Sequence, residues 1–326
     1  MQITATIVAK NLLMEKLKST NNYLIIIVGP TAIGKTALSI ELAKNFNCDI
    51  VSCDSRQFYK EMTIGTAVPS TDELKQATHH FIQNKSITEN YSVGDYEKEV
   101  LPLLDELFLK NNIQIVVGGS GLYVDAILKG FDDFPDVSDE IKVEIDQNYE
   151  ENGFEYLQEK LQQLDPFYFD FLKTTNPQTL VNQQRMKRFI GVSMASNAPY
   201  SSFLNQEKNK RNFTPIVIGL EAPREVMYDR INKRVDIMLN NGLLLEVANL
   251  KEHQQLNALQ TVGYRELFDY FDEKISLTDA VEEIKKNTRR FAKRQITWFK
   301  RNEATKWFSY QTPIKNILSY LNEFTR

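Results

Sequence analysis

Tyr23-Leu-Ile-Ile-Ile-Val28, followed at once by Gly29-Pro-Thr-Ala-Ile-Gly34-Lys35-Thr36, decides how the rest of the chain is read. The first segment is apolar and β-branched without alternation, which suits a strand buried on both faces. The second fits the pattern G-x-x-x-x-G-K-[ST] at every position. It lies between that strand and a helical pattern running to about Phe46, which is the setting the pattern requires. Its glycines let backbone N–H groups point into one concavity. The helix N-terminus adds partial positive charge, and Lys35 reaches terminal phosphates. A polyphosphate site is therefore predicted over Gly29, Pro30, Thr31, Ala32, Ile33, Gly34, Lys35 and Thr36, with Thr36 placed to ligate Mg²⁺. The pattern alone does not distinguish ATP from another polyphosphate.

Outward from this loop, Asp49–Cys53 reads as a second strand ending at Asp54, and Ile113–Val117 as a third ending at Gly118-Gly119. Asp95–Lys110 between them reads as an amphipathic helix, with Val100, Leu103, Leu104 and Leu107 on one side. This alternation predicts an α/β fold with a parallel sheet covered by helices, its ligands beyond the carboxyl ends of the strands. From 131 to 211 the pattern turns helical and charged, after the polar break Asp132-Asp-Phe-Pro135. Thr214–Gly219 reads as a returning strand, and after Pro223 the chain reads as almost wholly helical, with Ser276 capping the last long helix. The expected organisation is a leader over 1–22, a P-loop NTPase-like core over 23–130 and 212–326, and a helical insertion over 131–211. Met14 is an alternative start.

The chain has 326 residues, 42% apolar and 25% charged, as expected for a folded protein. Two cysteines, Cys48 and Cys53, exclude a disulfide scaffold, and with only three histidines (His79, His80, His253) no zinc module has the right spacing. His79 and His80 read as structural. No apolar run approaches the roughly 20 residues of a membrane helix, and no signal peptide is visible, so a cytoplasmic location is expected.

Nucleotide hydrolases and kinases need an acid at the end of an apolar strand to hold the metal. The third strand ends Val117-Gly-Gly-Ser-Gly121 without one, and the acid follows the second strand as Asp54. A small-molecule phosphotransferase stays possible on these residues, as does a non-catalytic RNA binder that keeps a phosphate loop.

Six segments occur in order: Gly29–Thr36, Asp54-Ser-Arg-Gln-Phe-Tyr59, Ile64-Gly-Thr-Ala67, Gly118-Gly-Ser-Gly-Leu-Tyr123, Val262-Gly-Tyr-Arg-Glu-Leu267 and Lys293-Arg-Gln-Ile-Thr-Trp298. In this the chain resembles the tRNA dimethylallyltransferase family, also called tRNA isopentenyltransferases, over roughly residues 23–310. The resemblance implies transfer of a dimethylallyl group from dimethylallyl diphosphate to N6 of adenosine 37 of tRNA, with Mg²⁺. On that basis the P-loop holds the prenyl diphosphate, which accounts for the missing strand-end acid.

The resemblance also implies roles. Asp54 is the general base, taking a proton from a poorly nucleophilic amine as the C–N bond forms. Ser55, Arg56 and Gln57 line the adenosine pocket. Thr31, Lys35 and Thr36 hold diphosphate and metal, and Arg230, in Arg224-Glu-Val-Met-Tyr-Asp-Arg230, is the arginine expected on the diphosphate. Gln184, Arg185 and Arg188 in the insertion resemble the segment that grips the anticodon stem-loop, with Asn176-Pro-Gln178 as a second register. The sequence departs from the family pattern at Val68, where a lysine is frequent, and at Ser196-Asn-Ala198.

The net charge of −4, from 39 basic and 43 acidic residues, argues on its face against RNA. Yet Lys285–Arg301 carries eight Lys or Arg and no acid, a local +8. Phe291, Trp298 and Phe299 interleave with these cations, a pairing suited to single-stranded loops. Lys293, Arg294, Gln295 and Trp298, joined by Val262, Gly263, Tyr264 and Arg265, are the expected tRNA surface. A solvated cationic face with core aromatics is the alternative. The expected partners are tRNA and the prenyl diphosphate, with no membrane and a monomer as default.

Overall fold

The computed structural model describes residues 21–206 and 210–325. They fall into two compact units: Gly130–Lys210, and the remainder, which resumes at Arg211.

In the larger unit, β1 (Tyr23–Val28) runs between β4 (Ile113–Val117) and β5 (Thr214–Glu221). Beyond β4 lie β2 (Ile50–Ser52) and β3 (His79–His80), and beyond β5 lies β6 (Lys306–Ser309). The order β3-β2-β4-β1-β5-β6 forms one sheet whose neighbours are all parallel. The run Leu24–Val28 is wholly buried because both faces are covered. Leu24, Ile26 and Val28 join one core with Val116, Tyr96 and Leu104; Ile25 and Ile27 join another with Ile50, Ile115, Ile218 and Leu42. All-parallel sheets require this double coverage.

Helices α1 (Lys35–Phe46), α2 (Val93–Phe108) and α3 (Gly121–Leu128) follow β1, β3 and β4. After β5 come α4 (Arg224–Asn240), α5 (Leu243–Asn249), α6 (Tyr264–Phe271), α7 (Leu277–Phe299) and, after β6, α8 (Ile314–Thr325).

Several boundaries differ from the sequence reading. The helix expected from Asp95 starts at Val93, because Ser92 caps it: Ser92 Oγ accepts from Asp95 N–H (3.2 Å) and Asp95 reaches back to Ser92 N–H (2.8 Å). Replacing Ser92 with Ala should cost about 1 kcal/mol, read as a lowered Tm. Two strands were not expected. His79–His80 is too short for periodicity to register, and Lys306–Ser309 interrupts the stretch expected to be wholly helical. Ser276 caps α7, the last long helix, as expected, accepting from Asp279 N–H at 3.1 Å, and the shorter α8 follows β6. Asn22, assigned to the leader, is buried, and its carbonyl accepts from Thr214 N–H at 2.7 Å. The rest of the leader and Met14 lie outside the described residues.

In the smaller unit, the long helix Asp139–Leu164 breaks at Gly153 (φ 62°). Helices Pro166–Thr175 and Gln183–Ser196 complete it, around Leu157, Leu161, Met186 and Ile190. Buried Asp165 ties it together, its carboxylate accepting from Tyr168 N–H (3.0 Å) and Ser201 N–H (2.7 Å). No strand occurs among its described residues.

Candidate active site

Three adjacent strands, β1, β4 and β2, deliver Gly29–Lys35, Gly118–Gly121 and Cys53–Gln57 to one edge of the sheet. Two cavities open there. One, of about 410 Å³, is lined by Gly34, Lys35, Thr36, Ser52, His79 and Arg230 among others. The second, of about 460 Å³, is more apolar, with Ile231, Val235, Met238, Leu243, Phe291 and Trp298 in its wall. Thr31, Asp54, Thr66, Arg234, Phe291 and Gln295 border both.

Lys35 Nζ donates to the Pro30 carbonyl at 2.8 Å. Burial pulls its pKa down to about 8, against the opposing attraction of Asp54. Asp54 stands at a tight turn: its Oδ1 accepts from Arg56 N–H (3.1 Å) and its own N–H donates to Ser52 Oγ (3.3 Å). Arg234 Nη1 donates to Thr31 Oγ1 at 3.3 Å. Burial lowers the Arg234 pKa while Asp54 raises it, so a half-buried cation and a carboxylate face the junction together.

Gln295 braces the floor. Its Oε1 accepts from Thr31 N–H at 2.9 Å and its Nε2 donates to the Gly119 carbonyl at 2.9 Å, joining the phosphate loop to the second glycine turn. The approach is close: a Cβ on Gly119 would meet Gln295 Nε2 at 2.2 Å, and one on Gly121 would meet Trp298 Cδ1 at 2.3 Å. Gln295→Ala should therefore slow turnover about tenfold or more through loss of loop geometry, with a higher KM for the phosphate-bearing substrate. Steady-state kinetics beside a Tm measurement checks this.

The predicted residues are distributed unevenly about the site. Thr31, Ala32, Ile33, Gly34, Lys35 and Thr36 line the phosphate cavity, while Gly29 and Pro30 are buried beneath it. Ser55 donates its N–H to Ser120 Oγ at 3.0 Å. Arg56 borders the apolar cavity, but its Nη1 is spent on the carbonyls of Asn257 and Ala258, both at 2.9 Å. Gln57 Nε2 holds the carbonyls of Thr66 (3.2 Å) and Ala67 (2.9 Å). Arg230 is exposed and donates Nε to the Ala32 carbonyl at 2.8 Å, stacking on Tyr310.

Three residues of the expected RNA surface are buried, although Gly263 and Gln295 border the apolar cavity. Tyr264 is fully buried, its hydroxyl bonded to Glu246, so its side chain faces core rather than solvent. Gln295 is 6% exposed and already engaged at both ends, and Gly263 is buried. Trp298 is half-buried, donating Nε1 to Asp125 (3.2 Å) beneath Arg301.

The +8 segment is also partly neutralised. Acids outside it pair with three of its lysines, two adjoining it in sequence and two on other elements: Lys285 with Asp236 (2.9 Å) and Glu282 (3.3 Å), Lys286 with Glu283, and Lys300 with Glu221 (3.2 Å). Among the described residues no carboxylate pairs with Arg289, Arg290, Lys293, Arg294 or Arg301, and Lys293 and Arg294 are exposed.

A family model described as IPP transferase matches residues 57–302. The chain is 65% identical over 301 residues, 92% of its length and 98% of its relative's, to a tRNA dimethylallyltransferase of Flavobacterium psychrophilum. It belongs to this family. It is also 43% identical over 298 residues to tRNA dimethylallyltransferase 1 of Bacteroides thetaiotaomicron, covering 91% of this chain and 94% of that relative. The full-length tRNA isopentenylpyrophosphate transferase of Bacillus halodurans superposes with a TM-score of 0.67 at 32% identity, covering 93% of this chain and 95% of that one.

The P-loop core of this family member carries groups that sequence reasoning missed. Arg234 lies one helical turn beyond Arg230 and is the arginine that borders both cavities; its neighbours in sequence gave no reason to prefer it. His79, read as structural, borders the phosphate cavity with Nδ1 at 2.8 Å from the Ala77 carbonyl and Nε2 buried without a hydrogen-bond partner among the described residues. Burial lowers its pKa, favouring the neutral ring. His80 is structural, 2.8 Å from Asp49. In the smaller unit Gln184, Arg185 and Arg188 are all exposed, with Arg188 over the Phe134 ring. Burial raises the pKa of both cysteine thiols, to about 12 for Cys48. Neither is an activated nucleophile.

Among the described residues no helix is long and apolar enough to cross a membrane.

Proposed function

We propose that the chain transfers a dimethylallyl group from dimethylallyl diphosphate to N6 of adenosine 37 of tRNA, releasing diphosphate. One observation carries this reading: Asp54 stands on the wall shared by a cavity built for phosphates and an apolar cavity beside it. A prenyl carbon esterified to a diphosphate and a base amine entering from the apolar side meet at that carboxylate.

The adenine N6 lone pair attacks the prenyl C1 as the C1–O bond breaks. The bonding electrons leave with the diphosphate, and the N6 proton passes to Asp54. Charge grows on the leaving oxygens, where Lys35, the Thr31 hydroxyl and Arg234 are fixed in advance and need no reorganisation. The aromatic and aliphatic wall from Val235 to Trp298 excludes water from the allylic carbon.

Mg²⁺ fits the chemistry of the donor set. Thr36 offers a hard hydroxyl oxygen, and no group of three or more His, Cys, Asp or Glu that could cage a metal forms among the described residues. Thr36 would hold a Mg²⁺ ion, which would neutralise charge on the diphosphate.

For the tRNA, exposed Lys293, Arg294 and Arg265 of the larger unit, and separately Arg185 and Arg188 of the smaller one, supply cations for the anticodon stem-loop backbone, and the neutral Gln184 amide offers hydrogen bonds. The target base must leave its stack to reach Asp54.

The test offers unmodified tRNA, labelled dimethylallyl diphosphate and Mg²⁺, with ATP supplied in parallel. Label is expected in the tRNA and no turnover of ATP. Turnover of ATP without label in the tRNA would instead favour a phosphotransferase and overturn the reading.

A further inference from the structure

Glu246, on α5, belongs to none of the six motifs and borders neither cavity. Four donors nevertheless converge on its carboxylate. Oε2 accepts from the backbone N–H of Thr63 (3.0 Å) and of Ile64 (2.7 Å). Oε1 accepts from Gly65 N–H (2.9 Å) and from the Tyr264 hydroxyl (2.6 Å). Burial and the Glu246 charge push the Tyr264 pKa far up, so this phenol stays a donor. A Cβ on Gly65 would fall 2.6 Å from the Tyr264 ring, so the segment lies flat on that ring.

The clamped segment continues directly into the site. Gly65 and Thr66 line the apolar cavity, Thr66 also lines the phosphate cavity, and the carbonyls of Thr66 and Ala67 hold the Gln57 amide. We propose that Glu246 is a positioning residue: its carboxylate joins the Ile64–Ala67 motif to the Val262–Leu267 motif and so fixes the wall against which the acceptor base is placed opposite Asp54. The proposal rests on the prenyl-transfer reading above.

The carboxylate is specifically required. A glutamine in the same space has one acceptor oxygen and one NH₂ group, so one pair of donors would face another donor. Glu246→Gln is therefore nearly isosteric yet incompatible with the clamp.

In Glu246→Gln, amide hydrogen exchange at 63–65 should accelerate about tenfold or more while the amides of Ile25–Ile27 keep their protection. The kcat/KM for tRNA should fall about ten- to a hundredfold, with KM for dimethylallyl diphosphate within about twofold of wild type. Tyr264→Phe removes one donor of the four and should change the same quantities in the same direction by less. Unchanged exchange at 63–65 in either variant, or equal loss toward both substrates, overturns the clamp. Wild-type protein that transfers nothing to tRNA defeats the functional reading instead, and the exchange result still judges the clamp.

Discussion

Asp54→Asn should lower the single-turnover rate of prenyl transfer by about a hundred- to ten-thousandfold, the range that general-base catalysis supplies. That corresponds to about 3–5 kcal/mol of transition-state stabilisation. The substitution keeps the local fold, since an asparagine oxygen can still accept from Arg56 N–H as Asp54 Oδ1 does at 3.1 Å. What is lost is the site that takes the N6 proton, and with it the charge that opposes Lys35 and Arg234. Binding of tRNA, measured by filter retention or gel shift, should stay within a few-fold of wild type. Loss of tRNA binding in step with loss of rate would mean that the carboxylate holds the RNA rather than the proton.

Lys35→Met should weaken binding of dimethylallyl diphosphate about a hundredfold or more, because the Lys35 ammonium in the wall of the phosphate cavity has no substitute in the loop. The pH dependence gives an independent check. Burial lowers the Lys35 pKa from 10.5 to about 8. The diphosphate binds the protonated form better, so affinity should be highest below about pH 8 and fall as pH rises through that value. Stability without substrate should show the opposite trend. Between about pH 8 and 10.5 the unfolded chain holds the lysine proton that the folded chain has released, so stability rises with pH across that window. Both slopes should vanish in Lys35→Met, as followed by calorimetric titration and by denaturant unfolding at several pH values. Slopes that survive the substitution would assign them to another group.

The parts of the fold that were legible are those with a strong local cause. The run Tyr23–Val28 and the loop after it place β1, the loop and α1 together, because a doubly buried strand and a glycine-bearing phosphate loop each have few sequence solutions. Ser276 was legible for the same reason, since a capping serine acts within one turn. His79–His80 and Lys306–Ser309 were not, because two- and four-residue edge strands owe their pairing to β2 and β5 rather than to their own pattern. At the site, the positions of Lys35 and Asp54 at one sheet edge were readable, Lys35 from the loop pattern and Asp54 from the strand that precedes it. The choice between Arg230 and Arg234 was not, because both lie on the same helix four residues apart and only packing determines which one reaches Thr31. Tyr264 shows the converse: its motif marks it, yet burial against Gly65 and Glu246 makes it a structural member. The basic helix was legible as sequence, but the acids that pair with Lys285, Lys286 and Lys300 lie outside the segment, so among the described residues its charge without a carboxylate partner is concentrated on Arg289, Arg290, Lys293, Arg294 and Arg301.

Nucleoside analysis of tRNA after incubation with dimethylallyl diphosphate and Mg²⁺, run side by side for wild type and Asp54→Asn, tests the account most directly. The expected result is N6-dimethylallyladenosine at position 37 with the wild-type protein. With Asp54→Asn almost none should form, although that variant still binds both substrates. Modification at another atom, or a variant that works at nearly the wild-type rate, would contradict the meeting of donor and acceptor at Asp54.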